Sequence, residues 1–299
     1  MSEYILSCCS TADLSWEHLK RRSIEVICYT FELDGKAYPD DMGKSMPLPK
    51  FYQAMEAGSA TKTSQVNMDD YVTYLEGFLK QGRDVLHIDF SSGLSGSVNS
   101  ARLAADTLRE KYPERKLYVL DSLAASSGYG LLVDKAADLR DDGMDIDTLA
   151  QWVEDNKLRL HHWFFSTTLK YYVRGGRVSA TAGFFGGILG ICPLLHVDEA
   201  GHLIPMEKVR SKKNVKLATL EKMKKFADKG ADYDEKVFIS NSYCLEDAMD
   251  LAKAVEAAFP KLRGKVEIYD IGTVIGSHAG PGTVALFFWG TPRGSVEGA

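Results

Sequence analysis

Short apolar runs rich in β-branched and aromatic residues recur through the first half of the chain, at Tyr4 to Cys8, Ser23 to Phe31, Asp84 to Phe90 and Lys116 to Leu120. Between them, apolar residues return every three to four positions, the period of a helix with one buried face. This alternation predicts a parallel sheet covered by helices. One helix begins at Asn67, a residue suited to an N-cap, with Asp70 three positions on as in a capping box. Tyr71, Val72, Leu75, Phe78 and Leu79 then share a face, and Gly82 supplies the stop. Another helix is predicted over Ala124 to Leu139.

After about residue 164 the pattern changes. Leu194 to Val197, the turn Asp198-Glu199-Ala200-Gly201 and His202 to Val209 read as a hairpin. A helix follows from Ser211 to about Lys229, with Leu220, Met223 and Phe226 or Ala227 inward and Gly230 at its end. Strands at Lys236 to Ser240, Val266 to Tyr269 and Thr283 to Trp289 complete a second unit. The expected fold class is therefore α/β with two α/β domains. Residues 1–163 form an N-terminal, Rossmann-like parallel domain, and residues 164–299 a C-terminal mixed sheet with helices. A small-molecule site is expected at their junction.

Composition narrows the class. The chain has 299 residues, 45% hydrophobic and 26% charged, as in soluble globular proteins. No apolar run approaches the roughly 20 residues of a membrane span. A strand starts at once at Tyr4-Ile5-Leu6, so no secretory signal is expected. Five cysteines, Cys8, Cys9, Cys28, Cys192 and Cys244, are odd in number and lack the paired spacing of a zinc site, which suits reduced thiols in a cytoplasm. A net charge of −5 gives no reason to expect nucleic acid. Locally, Lys208, Arg210, Lys212, Lys213, Lys216, Lys222, Lys224 and Lys225 outnumber Glu207 and Glu221. That run is either the wet face of a helix or a docking surface for an acidic or phosphate-bearing partner.

Four segments carry candidate chemistry. The strand Asp84 to Phe90 empties into Ser91-Ser92-Gly93-Leu94-Ser95-Gly96-Ser97 and then a helix reaching Tyr112. Backbone N–H groups, hydroxyls and a helix dipole at such a turn favour an anion, a carboxylate or a phosphate; the alternative is plain capping by serine. Thr61-Lys62-Thr63-Ser64-Gln65 reads as a polar loop whose hydroxyls can donate to an oxyanion or merely precede a helix. Ile271 to Gly282 reads as a loop that encloses His278 between glycines, where a backbone can approach a ligand closely. Arg174-Gly175-Gly176-Arg177-Val178-Ser179, followed by the glycine-rich, helix-like Gly183 to Ile191, makes room for a neighbouring helix or an apolar ligand. No phosphate-cradling Walker pattern or metal-ligand spacing is present, so neither nucleotide nor metal is expected.

These segments, with Ser10-Thr11-Ala12-Asp13-Leu14, Gly175-Gly176-Arg177-Val178, Lys208-Val209-Arg210 and Ile275-Gly276-Ser277-His278-Ala279-Gly280-Pro281-Gly282, give a chain that resembles the DegV family of bacterial fatty acid-binding proteins nearly end to end. The resemblance implies a long-chain fatty acid, such as palmitate, stearate or oleate, in a tunnel between two α/β domains. It further implies a carrier without catalytic residues or cofactor, which presents the acid's carboxylate to a separate fatty acid kinase for acyl-phosphate formation. Carried over by motif, Thr63 and Ser95 bind the carboxylate with the N–H of Gly96 and with His278, and Arg210 lies in the segment associated with kinase engagement. The chain departs from the family's pattern at Cys9, where Asp is common. The competing reading is a serine hydrolase or esterase with Ser95 as nucleophile and His278 as base. Its Gly-x-Ser-x-Gly pattern fails at Ser97, and no single Asp or Glu stands out to orient His278.

Overall fold

The computed structural model describes residues 4–179 and 190–295. Thirteen strands follow in chain order among them: β1 (Tyr4–Cys9), β2 (Ile24–Ile27), β3 (Thr30–Leu33), β4 (Lys36–Pro39), β5 (Thr61–Ser64), β6 (Asp84–Asp89), β7 (Leu117–Asp121), β8 (Leu160–Phe165), β9 (Ile191–Val197), β10 (Leu203–Arg210), β11 (Val237–Asn241), β12 (Val266–Asp270) and β13 (Val284–Trp289). The α-helices are α1 (Trp16–Arg21), α2 (Leu48–Glu56), α3 (Met68–Leu79), α4 (Ser97–Lys111), α5 (Ser126–Asp141), α6 (Ile146–Asn156), α7 (Lys170–Arg174), α8 (Lys212–Phe226), α9 (Leu245–Ala258) and α10 (Thr273–Ala279). None is long and apolar enough to cross a membrane.

The parallel sheet has the order β2-β1-β6-β7, and the mixed sheet the order β10-β9-β8-β13-β11-β12. Strands β1 and β6 lie inside the first sheet, so Leu6, Val85, Leu86 and Ile88 are fully buried. Helix α5 is buried around most of its circumference because it packs on β8, β11 and β13 of the second sheet while belonging to the first. This shared helix joins the two halves. Asn67 caps α3 by accepting from the N–H of Asp70, and Gly82 turns the chain at φ +71°.

The architecture is α/β with a parallel and a mixed sheet, and the hairpin is β9 and β10, paired antiparallel. Four local expectations are corrected. The run Ser23 to Phe31 is two strands in different sheets, because the chain turns after Ile27, where the N–H of Tyr29 donates to Ser10 Oγ. Thr61 to Gln65 is not a loop: Thr61–Ser64 form β5, paired with β3 in a third, antiparallel sheet of order β4-β3-β5. His278 lies on helix α10, not in a loop. Helix α8 ends at Phe226, after which Ala227 is extended and bridges Gly290. The boundary expected at 163/164 falls inside β8, which lies wholly in the mixed sheet. Of the glycine-rich run, residues 183–189 lie outside the described residues.

Candidate functional site

The site is assembled where three elements meet. The first is the turn after β6, at the carboxyl edge of the parallel sheet, where ligands of such sheets bind. Ser91 N donates to Ala124 O, and the N–H groups of Leu94 and Ser95 both donate to Ser91 O, winding the turn tightly. Helix α4 then starts with Gly96 at its N-cap and no side-chain cap. Ser95 Oγ accepts from the N–H of Ser97 at 3.2 Å and from the hydroxyl of Tyr29 at 3.5 Å. The positive end of α4 and a hydroxyl oriented by two donors therefore face one spot.

The second element is β5. Its alternation turns Thr63 and Thr61 to one side, and Thr63 Oγ1 lies 2.8 Å from His278 Nε2. The third is α10, whose last turn carries His278. The helix is held at its start by two buried carboxylates: Asp40 accepts from Thr273 N and Oγ1 at 3.0 and 2.6 Å, and Asp13 accepts from Gly272 N at 2.9 Å. Burial raises the pKa of both acids, and the charge of Asp40 further opposes ionisation of Asp13. Gly175 lets the backbone lie against the imidazole; a methyl group there would overlap His278 Nδ1.

His278 is neutral at pH 7. Burial is the main cause, with Arg177 and Arg174 adding repulsion, and the imidazole is pushed down to about 4. Its Nδ1 has no partner among the described residues. Arg177 is half-buried; its Nε donates to Leu94 O at 3.2 Å and one terminal nitrogen to Gly175 O at 2.5 Å. Burial lowers its pKa, and no carboxylate offsets its charge among the described contacts.

These groups line one cavity of about 470 Å³. Thr63, Gln65, Ser95, Gly96, Arg177 and His278 supply polar atoms, while Phe90, Leu94, Phe164, Val197, Leu203, Val274, Ile275, Ala285 and Phe287 supply apolar wall. Among the described residues that line it there is no Asp, Glu or Lys, and one arginine. Such a lining suits a single anionic head with a large apolar body.

The structure thus brings Thr63, Ser95, Gly96 and His278 to one cavity. It also adds Tyr29 and Arg177. Arg177 sat in a motif already noticed, but Tyr29 lay in a run read only as strand, and its contact with Ser95 spans 66 residues. Arg210 is apart from the cavity, exposed at the end of β10 on the edge of the mixed sheet. Much of the lysine run is neutralised: Lys212 and Lys216 pair with Asp247, Lys222 with Glu207 and Lys224 with Glu221. A hydrolytic triad is not assembled among the described residues, since His278 bonds Thr63 in place of Ser95 and no acid orients its Nδ1.

Comparison with known proteins gives a consistent result. The family described as "Uncharacterised protein, DegV family" matches residues 9–290. A DegV domain-containing protein of Clostridium perfringens is 37% identical over 98% of this chain and 99% of its own. Among solved structures, a DegV lipid binding protein from Thermotoga maritima is 28% identical with a TM-score of 0.81, covering 97% of this chain and 99% of its own. A stearic acid-binding protein from Eubacterium ventriosum is 26% identical with a TM-score of 0.84, covering 95% of this chain and 97% of its own.

Proposed function

The chain belongs to the DegV family, and from that premise we propose that it binds one long-chain fatty acid in the cavity, with the carboxylate at Thr63, Ser95, the N–H of Gly96 and His278. The observation that carries this reading is the lining: apolar over most of its wall, free of acidic side chains among the described residues, and provided with hydroxyls, a helix N-terminus and Arg177 on one part. The lipid and stearic acid named for the two solved relatives support it. Burying an acyl chain of about 16 carbons contributes roughly 12 kcal/mol gross at about 0.8 kcal/mol per methylene. Immobilising ligand and chain offsets much of that. The tail therefore supplies affinity, and the polar cluster fixes which end is held.

A carboxylate held this way accepts hydrogen bonds from Ser95 and Thr63 hydroxyls, and a neutral His278 donates through Nε2 without adding a titrating charge at pH 7. Among the described residues His278 bonds Thr63 and not Ser95, so Ser95 is read as a ligand for the carboxylate and not as a nucleophile. The finer reading is presentation of the carboxylate to a separate fatty acid kinase in the cytoplasm, with Arg210 in the docking surface. It rests on the family resemblance and on Arg210 being exposed on an edge strand away from the acyl site.

Titration with oleate and palmitate tests the first part: tight, saturable one-to-one binding is expected, and absence of binding to either acid contradicts it. Arg210→Ala tests the second. Acyl affinity is expected to be unchanged while kinase-dependent phosphorylation of the bound acid falls; loss of acyl binding in this variant would contradict the docking role.

A further inference from the structure

Parallel pairing of β1 with β6 sets Ser7 opposite His87. Two positions further along each strand, Cys9 and Asp89 fall on the same face, because side chains alternate along a strand. Four polar residues thus occupy adjacent core positions where a doubly covered sheet ordinarily carries aliphatic side chains. All four have no exposed surface. Tyr71 and Tyr74 of α3 reach down to them.

Three donor side chains converge there. Cys9 Sγ lies 3.4 Å from one Asp89 carboxylate oxygen and 3.7 Å from His87 Nε2. His87 Nε2 lies 3.4 Å from the other Asp89 oxygen. A tetrahedral zinc ion bound at about 2.0–2.3 Å holds neighbouring donor atoms roughly 3.3–3.7 Å apart. The surroundings orient each donor. His87 Nδ1 lies 2.9 Å from Ser7 Oγ, itself 2.8 Å from the Tyr74 hydroxyl, which leaves Nε2 turned to the cluster. Asp89 accepts from the Tyr71 hydroxyl and from its neighbour Phe90 N, both at 2.6 Å. The Tyr71 oxygen also stands 3.4 Å from Cys9 Sγ.

We infer that Cys9, His87 and Asp89 form a binding site for one divalent transition-metal ion, zinc by ligand chemistry, with the Tyr71 oxygen as the neighbour nearest a fourth position. Charge favours this in a dry core. A thiolate and a carboxylate bring two negative charges, neutral imidazole brings none, and a dication leaves the centre neutral. Coordination forms the sulfur–metal bond and breaks the S–H bond of Cys9, whose proton leaves to solvent; neither sulfur nor metal changes oxidation state. The site lies directly beneath the head-group turn, since the Tyr71 hydroxyl is 2.8 Å from Ser97 Oγ and Ser97 N donates to Ser95 Oγ. A bound ion would brace that turn from behind. The ligands escape sequence reading because Cys9 and His87 are 78 residues apart and come from different strands.

The test is the full chain expressed in zinc-supplemented medium, purified without chelator and assayed by inductively coupled plasma mass spectrometry. Close to one zinc per chain is expected, with loss in Cys9→Ser and in His87→Gln. Growth with cobalt is expected to give a thiolate-to-cobalt charge-transfer band that Cys9→Ser lacks. Should Cys9→Ser fail to fold, Cys9→Asp keeps an anionic donor and is expected to retain metal without that band. A folded wild-type chain with no zinc or cobalt above the buffer blank overturns the inference, as does metal content unchanged in both Cys9→Ser and His87→Gln.

Discussion

Ser95 and His278 line the same cavity, and in the proposed head-group site they act through different physics. Ser95 Oγ is oriented by Tyr29 and Ser97 N at the start of a helix, so its hydrogen bond to a carboxylate is charge-assisted and aided by the dipole. Ser95→Ala is expected to weaken oleate binding by about 1–3 kcal/mol in isothermal titration; an unchanged affinity would remove Ser95 from the site. His278 depends on a backbone that makes way for it. Gly175→Ala is expected to displace the ring and lower oleate affinity while leaving the circular dichroism spectrum unchanged, whereas unaltered affinity would show that the ring's position does not matter. That Ser95, Gly96, Thr63 and His278 could line a ligand cavity was legible from hydroxyl, glycine and histidine motifs, since the residue type itself suggests polar contacts, and the four do line one cavity. Tyr29 was not, because a tyrosine in an apolar run is ordinarily core and only folding brings its hydroxyl to Ser95.

Elements were legible where periodicity dominates and misread where burial or distant capping decides. Strands β1, β6, β7 and β13 and helix α3 follow their apolar patterns. Segment Thr61–Ser64 is polar throughout, yet it is a strand because β3 offers its free edge. Helix α10 carries β-branched Thr273, Val274 and Ile275 followed by Gly276, residues of low intrinsic propensity, and forms because Asp40 and Asp13, from the far end of the chain, satisfy the N–H groups of Thr273 and Gly272. Asp40→Ala leaves Thr273 N and Oγ1 unmet, and a loss of about 1–3 kcal/mol in urea unfolding is expected, with weaker oleate binding because His278 rides on this helix. Strand pairing also buries His161 and His196, whose imidazoles burial pushes down to about 4 and about 3. Each binds fewer protons folded than unfolded, so its contribution to stability is complete above about pH 6.5 and is lost as pH falls from there toward the folded value. The raised carboxyls of Asp13 and Asp40 act in the opposite sense, so a difference between variants is the cleaner readout. The melting temperature of His196→Phe relative to wild type is expected to rise between pH 7 and pH 5; no change in that difference would contradict a buried neutral His196.

The whole molecule joins the two sheets through contacts at the cavity's rim. The hairpin tip at Gly201, with φ +80°, sits against the turn after β6, where Ser91 Oγ donates to Gly201 O at 2.9 Å and any side chain at Gly201 would meet Ser91. Buried Arg293 adds a second tie, donating to Leu123 O at 2.9 Å and to Val197 O at 3.4 Å. A ligand spanning this junction touches both halves and binds the folded state alone. At a hundred times its dissociation constant it is expected to add about 2.7 kcal/mol of stability, read as a higher melting temperature with oleate. The account turns on occupancy of the cavity by a fatty acid, and native mass spectrometry of the purified full chain, followed by denaturing extraction of whatever is bound, reads that directly. The predicted result is a one-to-one adduct that releases a long-chain fatty acid, whereas a chain that carries no such adduct and takes up neither oleate nor palmitate when they are added would contradict it.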